Sequence, residues 1–320
     1  MGLRVAVTGG AGFIGSHLVE RLVGLGHSVV VVDNLSSGSL SNLGKVRDKV
    51  EVKIADVKDF EACLDAFKDV DVVYHLAANP EVRVSVTNPK VHFDENAYAT
   101  FVVAEASRLS NRVKAIVFAS SSTVYGDASV PTPEDSILRP ISVYGASKAA
   151  AELILHSYAH LYGMKVVVLR YANIVGPRLR HGVIYDFLMK LSKNPDVLEV
   201  LGDGSQRKSY LHVDDAVDAT ILAAESSGGV FEVYNVGNID WIEVSEIARI
   251  VSKVLGLKPR VVFTGGTKDG RGWPGDVKFM LLSIDKIASL GWRPKYSSAK
   301  AVELAAQSMA AELGLLRSHT

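Results

Sequence analysis

Arg4-Val-Ala-Val-Thr-Gly-Gly-Ala-Gly-Phe-Ile-Gly15 is the stretch on which the fold turns. The apolar run at residues 3–7 reads as a buried parallel strand, because such strands are covered on both faces. Gly9, Gly12 and Gly15 follow it, and Phe13, Ile14, Leu18, Val19 and Leu22 then recur with helical spacing. Strand, tight glycine turn and helix make the first βα unit of a dinucleotide fold. The glycines let the backbone approach a pyrophosphate, and the helix N-terminus turns free N–H groups toward it. An ordinary glycine-rich βα turn has the same form, so the second strand carries weight. Val29-Val-Val-Val-Asp33 ends in a carboxylate, about twenty residues after the turn, where such an acid hydrogen-bonds the adenosine ribose. The next residues, Asn34, Leu35, Ser36, Ser37 and Gly38, include no arginine. A carboxylate in that place repels a 2′-phosphate, so the expected cofactor is NAD rather than NADP.

Working outward, apolar strand candidates fall at residues 4–8, 28–33, 50–55, 72–76, 115–120 and 165–170. Helical patterns separate them at residues 14–25, 60–67, 91–107 and 144–162. This alternation predicts an α/β fold with a doubly wound parallel sheet. The rhythm breaks after Arg170, at Val175-Gly-Pro-Arg178, and a glycine-rich stretch occupies residues 265–275. Residues 231–236 read as a further strand that returns to the main sheet. The expected organisation is an NAD-binding Rossmann-type domain, residues 1–172 plus about 210–238, and a smaller discontinuous α/β substrate domain, about 173–209 plus 239–320. The reaction would then take place in the cleft between them.

The 320 residues carry 35 basic and 35 acidic side chains, and 48% are hydrophobic. That balance supports a sizeable core and gives no electrostatic case for nucleic acid or an anionic membrane. One cysteine, Cys63, excludes an intramolecular disulfide and a cysteine-rich metal site. It lies in a helical pattern with Phe60, Leu64 and Phe67, which predicts a buried structural role. His156 and His160 stand one helical turn apart, but no third ligand accompanies them, and no metal is expected. No signal peptide and no apolar run of membrane-spanning length, about 20 residues, is visible, which makes the cytoplasm the expected location. Asn34-Leu-Ser36 matches a glycosylation sequon but coincides with the cofactor positions.

Tyr144-Gly-Ala-Ser-Lys148 places a tyrosine and a lysine one turn apart on one helix face. Tyrosine ordinarily titrates at pH ~10, so for the phenolate to act as a base at neutral pH it must be favoured by ~4 kcal/mol. The neighbouring ammonium and a cationic nicotinamide both act in that direction. Ser120-Ser-Ser-Thr-Val-Tyr125 follows an apolar strand, and a hydroxyl at the C-terminal end of a parallel strand opens onto the ligand crevice.

Together with His75-Leu-Ala-Ala78, Leu169-Arg-Tyr-Ala-Asn173, Gly176-Pro-Arg178, His212-Val-Asp-Asp215 and Tyr234-Asn-Val-Gly237, these stretches resemble the extended short-chain dehydrogenase/reductase family. The similarity runs over essentially the whole chain and is strongest to the nucleotide-sugar branch. It implies an NAD-dependent epimerase that interconverts UDP-glucose and UDP-galactose. Tyr144 takes the proton of the sugar 4-hydroxyl, the C4 hydride passes to NAD, the 4-keto sugar turns over, and the hydride returns to its other face. The alternatives are N-acetylated or uronic UDP-sugars, or a binding subunit that has lost turnover.

The resemblance also distributes roles. Tyr144, Lys148 and Ser121 would be catalytic, with Ser120 or Ser122 in place of Ser121 if the register differs by one. The cofactor would lie against Gly9, Gly12, Phe13 and Ile14, the run Asp33, Asn34, Leu35, Ser36, Ser37 and Gly38, and Asp56 and Val57. Leu76, Ala77, Ala78, Asn79, Pro80, Asn96, Ser120, Tyr144, Lys148, Tyr171 and Ala172 would complete that surface. The UDP-sugar substrate would meet Ser121, Tyr144, Asn173, Val183, Lys208, Tyr210, Arg271, Asp276 and Met280. Lys208 stands where the family commonly has a phosphate-binding arginine, and Trp273 stands at another such position, with Arg271 two residues earlier. Related dehydratases and decarboxylases carry a carboxylate after the catalytic hydroxyl. This chain has Ser122 and Thr123 there, which favours the simpler epimerase cycle. The helices at 91–107 and 144–162 would form a homodimer interface.

Overall fold

The structure, a computed structural model, describes residues 2–316. Seven strands form the main sheet: β1 (Arg4–Thr8), β2 (Ser28–Asp33), β3 (Val50–Ile54), β4 (Val72–His75), β5 (Ala115–Ser121), β6 (Lys165–Tyr171) and β7 (Phe231–Val236). Their order is β7-β6-β5-β4-β1-β2-β3. The sheet is parallel and Rossmann-type, flanked by helices. Ala6 of β1 pairs with Val30 of β2 on one side and Val73 of β4 on the other. The strand order therefore reverses at β1, and a crevice opens beyond the C-terminal ends of β1 and β4.

Helices α1 (Phe13–Gly24), α2 (Phe60–Phe67), α3 (Ala99–Leu109) and α4 (Val143–Tyr162) cover the sheet. Val32, Cys63, Phe67, Val103, Ile116, Leu155 and Val166 belong to one buried cluster that joins strands to α2, α3 and α4. Burial pushes the Cys63 thiol up to about 12, and its Sγ donates to the Val57 carbonyl, so it is a core residue, as expected. The α4 start is set locally. Ser142 Oγ accepts from the Gly145 amide at 3.1 Å, and Gly163 closes the helix in the left-handed conformation at φ 66°. That start puts Tyr144 in the first turn.

One expected helix is broken. Residues 91–107 do not form a continuous α-helix. A short turn at Lys90–His92 passes into a π-helical segment, Phe93–Tyr98, before α3 begins. At the end of the widened turn backbone N–H groups donate to the Asp94 and Asn96 carbonyls, and Thr100 Oγ1 adds a second bond to the Asn96 carbonyl at 2.5 Å. Periodicity of apolar residues is nearly the same across such an insertion.

The chain divides into two compact units: Met1–Val124, Ser142–Arg170 and Val217–Tyr234 in the first, and Tyr125–Ile141, Tyr171–Ala216 and Asn235–Thr320 in the second. Residues 125–141, 171–172, 210–216 and 235–238 thus group with the second unit, whereas the sequence pattern attaches them to the cofactor domain. Long-range polar contacts account for it. Tyr125 OH donates to Asn235 Oδ1 at 2.7 Å, and the Asn235 amide donates to the Thr132 carbonyl. Trp292 Nε1 donates to the Asp215 carbonyl.

Within the second unit, helices Gly182–Lys193, Val244–Val254 and Ser298–Glu312 pack on one another. Short strands accompany them. Arg207–Lys208 lies between Ile242–Glu243 and Phe279–Met280, and Tyr210–His212 runs parallel to Asn173–Val175. Among the described residues, no helix is long and apolar enough to cross a membrane.

Candidate active site

β5 ends at Ser121 and α4 begins beside it, which brings the three expected catalytic side chains together. Ser121 hydrogen-bonds the Tyr144 hydroxyl. Thr123 fixes Ser121 from the other side: its amide donates to Ser121 Oγ at 3.2 Å and its hydroxyl at 2.9 Å. The neighbouring serines are placed otherwise. Ser120 donates to the buried carboxylate of Glu152, which turns its side chain into the core, so only its backbone is left for a cofactor contact. Ser122 is buried. Of the three serines left open by the sequence, Ser121 is the one whose side chain meets the Tyr144 hydroxyl.

Charge in this cluster runs against one expectation. Burial pushes the Tyr144 phenol up to about 12, opposed by the Ser121 hydrogen bond. In the protein by itself Lys148 does not offset this. Burial pushes the lysine itself down to about 7, with Glu152 acting in the other direction. Its Nζ donates to the Ala119 carbonyl at 2.9 Å and lies 4.9 Å above the Phe118 ring. Taking either group out of water disfavours its charged form, and in the protein by itself this outweighs the charge effect. The Tyr144 backbone is tied down as well: its amide donates to Ser85 Oγ. Its ring meets His92 edge-on at 5.5 Å. His92 is fully buried, and among the described residues neither of its ring nitrogens has a partner.

The glycine turn is shaped for close backbone approach. A Cβ at Gly9, where φ is +68°, would stand 2.8 Å from the Ala77 nitrogen, and one at Gly15 would stand 2.1 Å from the Gly9 carbonyl oxygen. No side chain among the described residues caps the start of α1, and its first turn holds no acid. Uncapped N–H groups and absent negative charge fit a pyrophosphate. The Asp33 carboxylate sits at the end of β2, fixed by amides of Ala11 at 2.9 Å and Leu35 at 2.8 Å. Asn34 reaches Asp56, which keeps the two predicted adenosine-side segments together. Asn96 is buried beside the 76–80 segment: its Oδ1 accepts from the Asn79 amide at 2.9 Å, and its Nδ2 donates to Ser147 Oγ at 3.0 Å.

The second unit holds the expected substrate residues. Asn173 Nδ2 donates to the Ser209 carbonyl at 3.1 Å. Lys208 pairs with Asp276, and Arg271 pairs with Asp127 at 2.8 Å and with Asp269. The basic groups predicted to meet a diphosphate are thus neutralised by acids of their own unit. Tyr210 and Met280 are buried, while Val183 is half-buried in the first turn of helix Gly182–Lys193. His156 packs edge-on against Phe231 at 4.8 Å, and among the described residues no group of three metal-ligating side chains occurs.

Residues 5–237 match the NAD dependent epimerase/dehydratase family. The chain belongs to this family. A crystal structure of UDP-galactose 4-epimerase is similar to it with a TM-score of 0.88 and 52% identity, covering 97% of this chain and 100% of the other. A UDP-N-acetylglucosamine 4-epimerase from Methanobrevibacter ruminantium, solved with UDP-N-acetylmuramic acid, has a TM-score of 0.86 at 31% identity, over 97% and 99% of the two chains. Among curated proteins, the UDP-glucose 4-epimerase of Mycolicibacterium smegmatis is 34% identical over 94% of this chain and 96% of its own. The protein is an NAD-dependent nucleotide-sugar epimerase of the extended short-chain dehydrogenase/reductase type.

For this epimerase, Asp33 predicts a strong choice of cofactor. Its carboxylate is pinned by two amides and cannot swing away from a 2′-phosphate, which would meet charge repulsion and forfeit the ribose hydrogen bond. A preference for NAD over NADP of a few kcal/mol, at least about 100-fold in Kd, is expected. Titration of the cofactor-stripped protein measures it, and comparable affinities would contradict it.

Several of its working parts leave little trace in the linear chain. Thr123 and Ser85 position Ser121 and Tyr144 by ordinary hydroxyl contacts that no spacing announces. Glu152 lies one turn beyond Lys148 on α4, a helical repeat that could have marked it.

Proposed function

We propose that this epimerase interconverts UDP-glucose and UDP-galactose, with Tyr144 as the proton-transfer group. The observation that carries the reading is the Ser121–Tyr144 hydrogen bond one helical turn from Lys148. Ser122 and Thr123 follow Ser121 with no carboxylate before Tyr125, so the site lacks the additional acid that elimination of water requires. The similarity to a UDP-galactose 4-epimerase at 52% identity supports the plain sugar.

In this mechanism Ser121 accepts and relays the proton between the sugar 4-hydroxyl and the Tyr144 oxygen. Gly9, Gly12, the α1 N-terminus and Asp33 hold the pyrophosphate and ribose. Lys148, already oriented by the Ala119 carbonyl, holds the far ribose and supplies positive charge near the phenol. NAD, when bound, supplies the acceptor and donor for the C4 hydride, together with a positive charge that favours the phenolate. On the substrate side, Asn173, Lys208, Tyr210, Arg271 and Asp276 would bind the nucleotide, with Arg271 leaving one of its carboxylate partners for a diphosphate oxygen.

A coupled assay across UDP-glucose, UDP-galactose, their N-acetyl forms and UDP-glucuronate tests the reading. Interconversion of the first two should be fastest. Faster turnover of UDP-glucuronate would replace this substrate, and binding without any turnover would favour a sensor.

Met280 bears on the same question. It is buried, and its strand runs parallel to Arg207–Lys208. Methionine is long but unbranched and repacks around a larger group, so N-acetylated sugars are expected to react more slowly without being excluded. Met280→Ala and Met280→Tyr should move the kcat/KM ratio between plain and N-acetylated sugars in opposite directions. A constant ratio would make Met280 a core residue only.

The outward faces of α3 and α4 carry exposed Phe101, Leu109, Leu153, Leu161 and Tyr162. These support a homodimer built on the two helices, which light scattering at assay concentration would read.

A further inference from the structure

His75 closes β4 and is 1% exposed. Its imidazole has a polar partner on each nitrogen: Nδ1 lies 2.7 Å from Thr8 Oγ1, and Nε2 lies 3.1 Å from Thr100 Oγ1. The direction of each bond follows from counting protons. Thr100 has one hydroxyl proton, and it goes to the Asn96 carbonyl. Thr100 Oγ1 must therefore accept from His75, which puts the imidazole proton on Nε2. Nδ1 is then an acceptor, and the Thr8 hydroxyl donates to it. Thr8 Oγ1 in turn accepts from the Ala77 amide at 3.2 Å.

The chain of bonds continues past Thr100. The Asn96 side chain accepts from the Asn79 amide and donates to Ser147 Oγ, and Ser147 Oγ donates to the Tyr144 carbonyl at 2.7 Å. Thr8, Thr100, Asn96 and Ser147 are all buried. Thr8 immediately precedes Gly9, while Ala77 and Asn79 belong to the segment facing the glycine turn. Ser147 and Tyr144 belong to α4. One directed network thus runs from the cofactor turn to the backbone of the helix that carries Tyr144 and Lys148.

We propose that His75, held as the neutral Nε2–H tautomer, is a positioning residue that couples the cofactor-binding turn to the α4 helix through Thr100 and Asn96. Every member has one direction available. A second imidazole proton would set two donors, Nδ1–H and the Ala77 amide, against Thr8 Oγ1 and displace the Thr8 hydroxyl proton. The surroundings oppose that proton: the site is buried, Lys148 adds positive charge, and the His75 pKa is pushed down to about 3. Phe118 stacks on the imidazole at 5.6 Å and also lies beneath Lys148 Nζ, so the same ring supports both.

Thr100→Val removes the hydroxyl with nearly the same shape, and Thr100→Ser restores it. In the valine holoenzyme the Nε2–H loses its partner, while the Asn96 carbonyl keeps a backbone N–H from the end of the π-helical segment. A buried donor left unmade disturbs the local geometry enough for about a tenfold fall in kcat and a faster loss of bound NAD. KM for the UDP-sugar should hold, because the substrate residues named above other than Ser121 and Tyr144 lie in the second unit. The serine variant should recover kcat and NAD retention to within about twofold of the parent. Nitrogen NMR of the ring-labelled parent should show a protonated Nε2 and a bare Nδ1 throughout the neutral pH range. The link to chemistry rests on Tyr144 being the reactive hydroxyl, but the tautomer and NAD retention are read without turnover. A proton on Nδ1, or valine and serine variants with equal NAD retention and kcat, would overturn the coupling while leaving the assignment of Tyr144 intact. A thermal shift with unchanged kcat and NAD retention would also overturn it and make the network purely structural.

Discussion

Tyr144→Phe is expected to lower kcat by about 100- to 10,000-fold, the range for removing a positioned proton-transfer group, while NAD and UDP-sugar affinities stay within a few-fold. Phenylalanine keeps the ring, its edge-on contact with His92 at 5.5 Å and the backbone tie to Ser85. What disappears is the oxygen that hydrogen-bonds Ser121. The raised proton affinity of the phenol sharpens the expectation. In the protein by itself burial holds Tyr144 protonated, at about 12, so ionisation depends on positive charge brought close, from Lys148 and from the bound nicotinamide. Parent activity should therefore rise with pH across the neutral range as the phenol ionises, and the residual activity of the variant should lose that rise. Near-parental kcat in the variant would remove Tyr144 as the proton-transfer group. A drop in substrate affinity with kcat unchanged would make it a binding residue.

Arg170→Met is expected to cost about 3–5 kcal/mol of stability, the range found when one partner of a buried ion pair is removed. Arg170 and Glu152 have side chains 6% and 3% exposed, and their closest approach is 2.7 Å. Arg170 Nε also donates to Glu152, and Ser120 Oγ completes the shell around the carboxylate. Methionine fills much of the volume but leaves Glu152 ionised and unpaired beneath the end of β5. Urea denaturation of both proteins measures the difference. The double variant Arg170→Met with Glu152→Gln should recover most of the loss, since a neutral amide replaces the orphaned charge. A cost below about 1 kcal/mol in the single variant would mean that the pair contributes no more than an exposed one. Glu152 also raises the proton affinity of Lys148, so its neutralisation should weaken the positive charge available to Tyr144. The double variant is accordingly expected to be stable but slow.

Much of this site is visible in the linear chain because its logic is local. A glycine turn is held between a strand and a helix that adjoin it in sequence, so Gly9, Gly12 and Gly15 can be read without knowing the rest. Tyr144 and Lys148 are joined by helical geometry alone. Most strands of the main sheet appear as apolar runs because a parallel strand is covered on both faces; the edge strand β3 carries Glu51 and Lys53 and has no buried residue. That same coverage hides which way a given side chain points. Ser120 and Ser121 both end a strand with no polar face to set the alternation, and only the presence of Glu152 below assigns Ser120 inward. The π-helical segment at Phe93–Tyr98 is equally silent, since one inserted residue scarcely changes a short apolar pattern.

Charge was the least legible property. The ionisation of Tyr144 and Lys148 depends on atoms contributed by several elements, and burial of both groups reverses the effect that their spacing predicts. Likewise, the sequence marks Lys208 and Arg271 as basic positions but not that Asp276, Asp127 and Asp269 neutralise them. The linear chain determined the glycine turn, the carboxylate at the end of β2 and the helix that carries Tyr144 and Lys148, since each depends on neighbours within a few residues. The tertiary structure decided which serine meets Tyr144, where the charges reside and how His75 ties the turn to the helix. Those depend on burial and on partners far away in sequence, which come together only when the chain is folded.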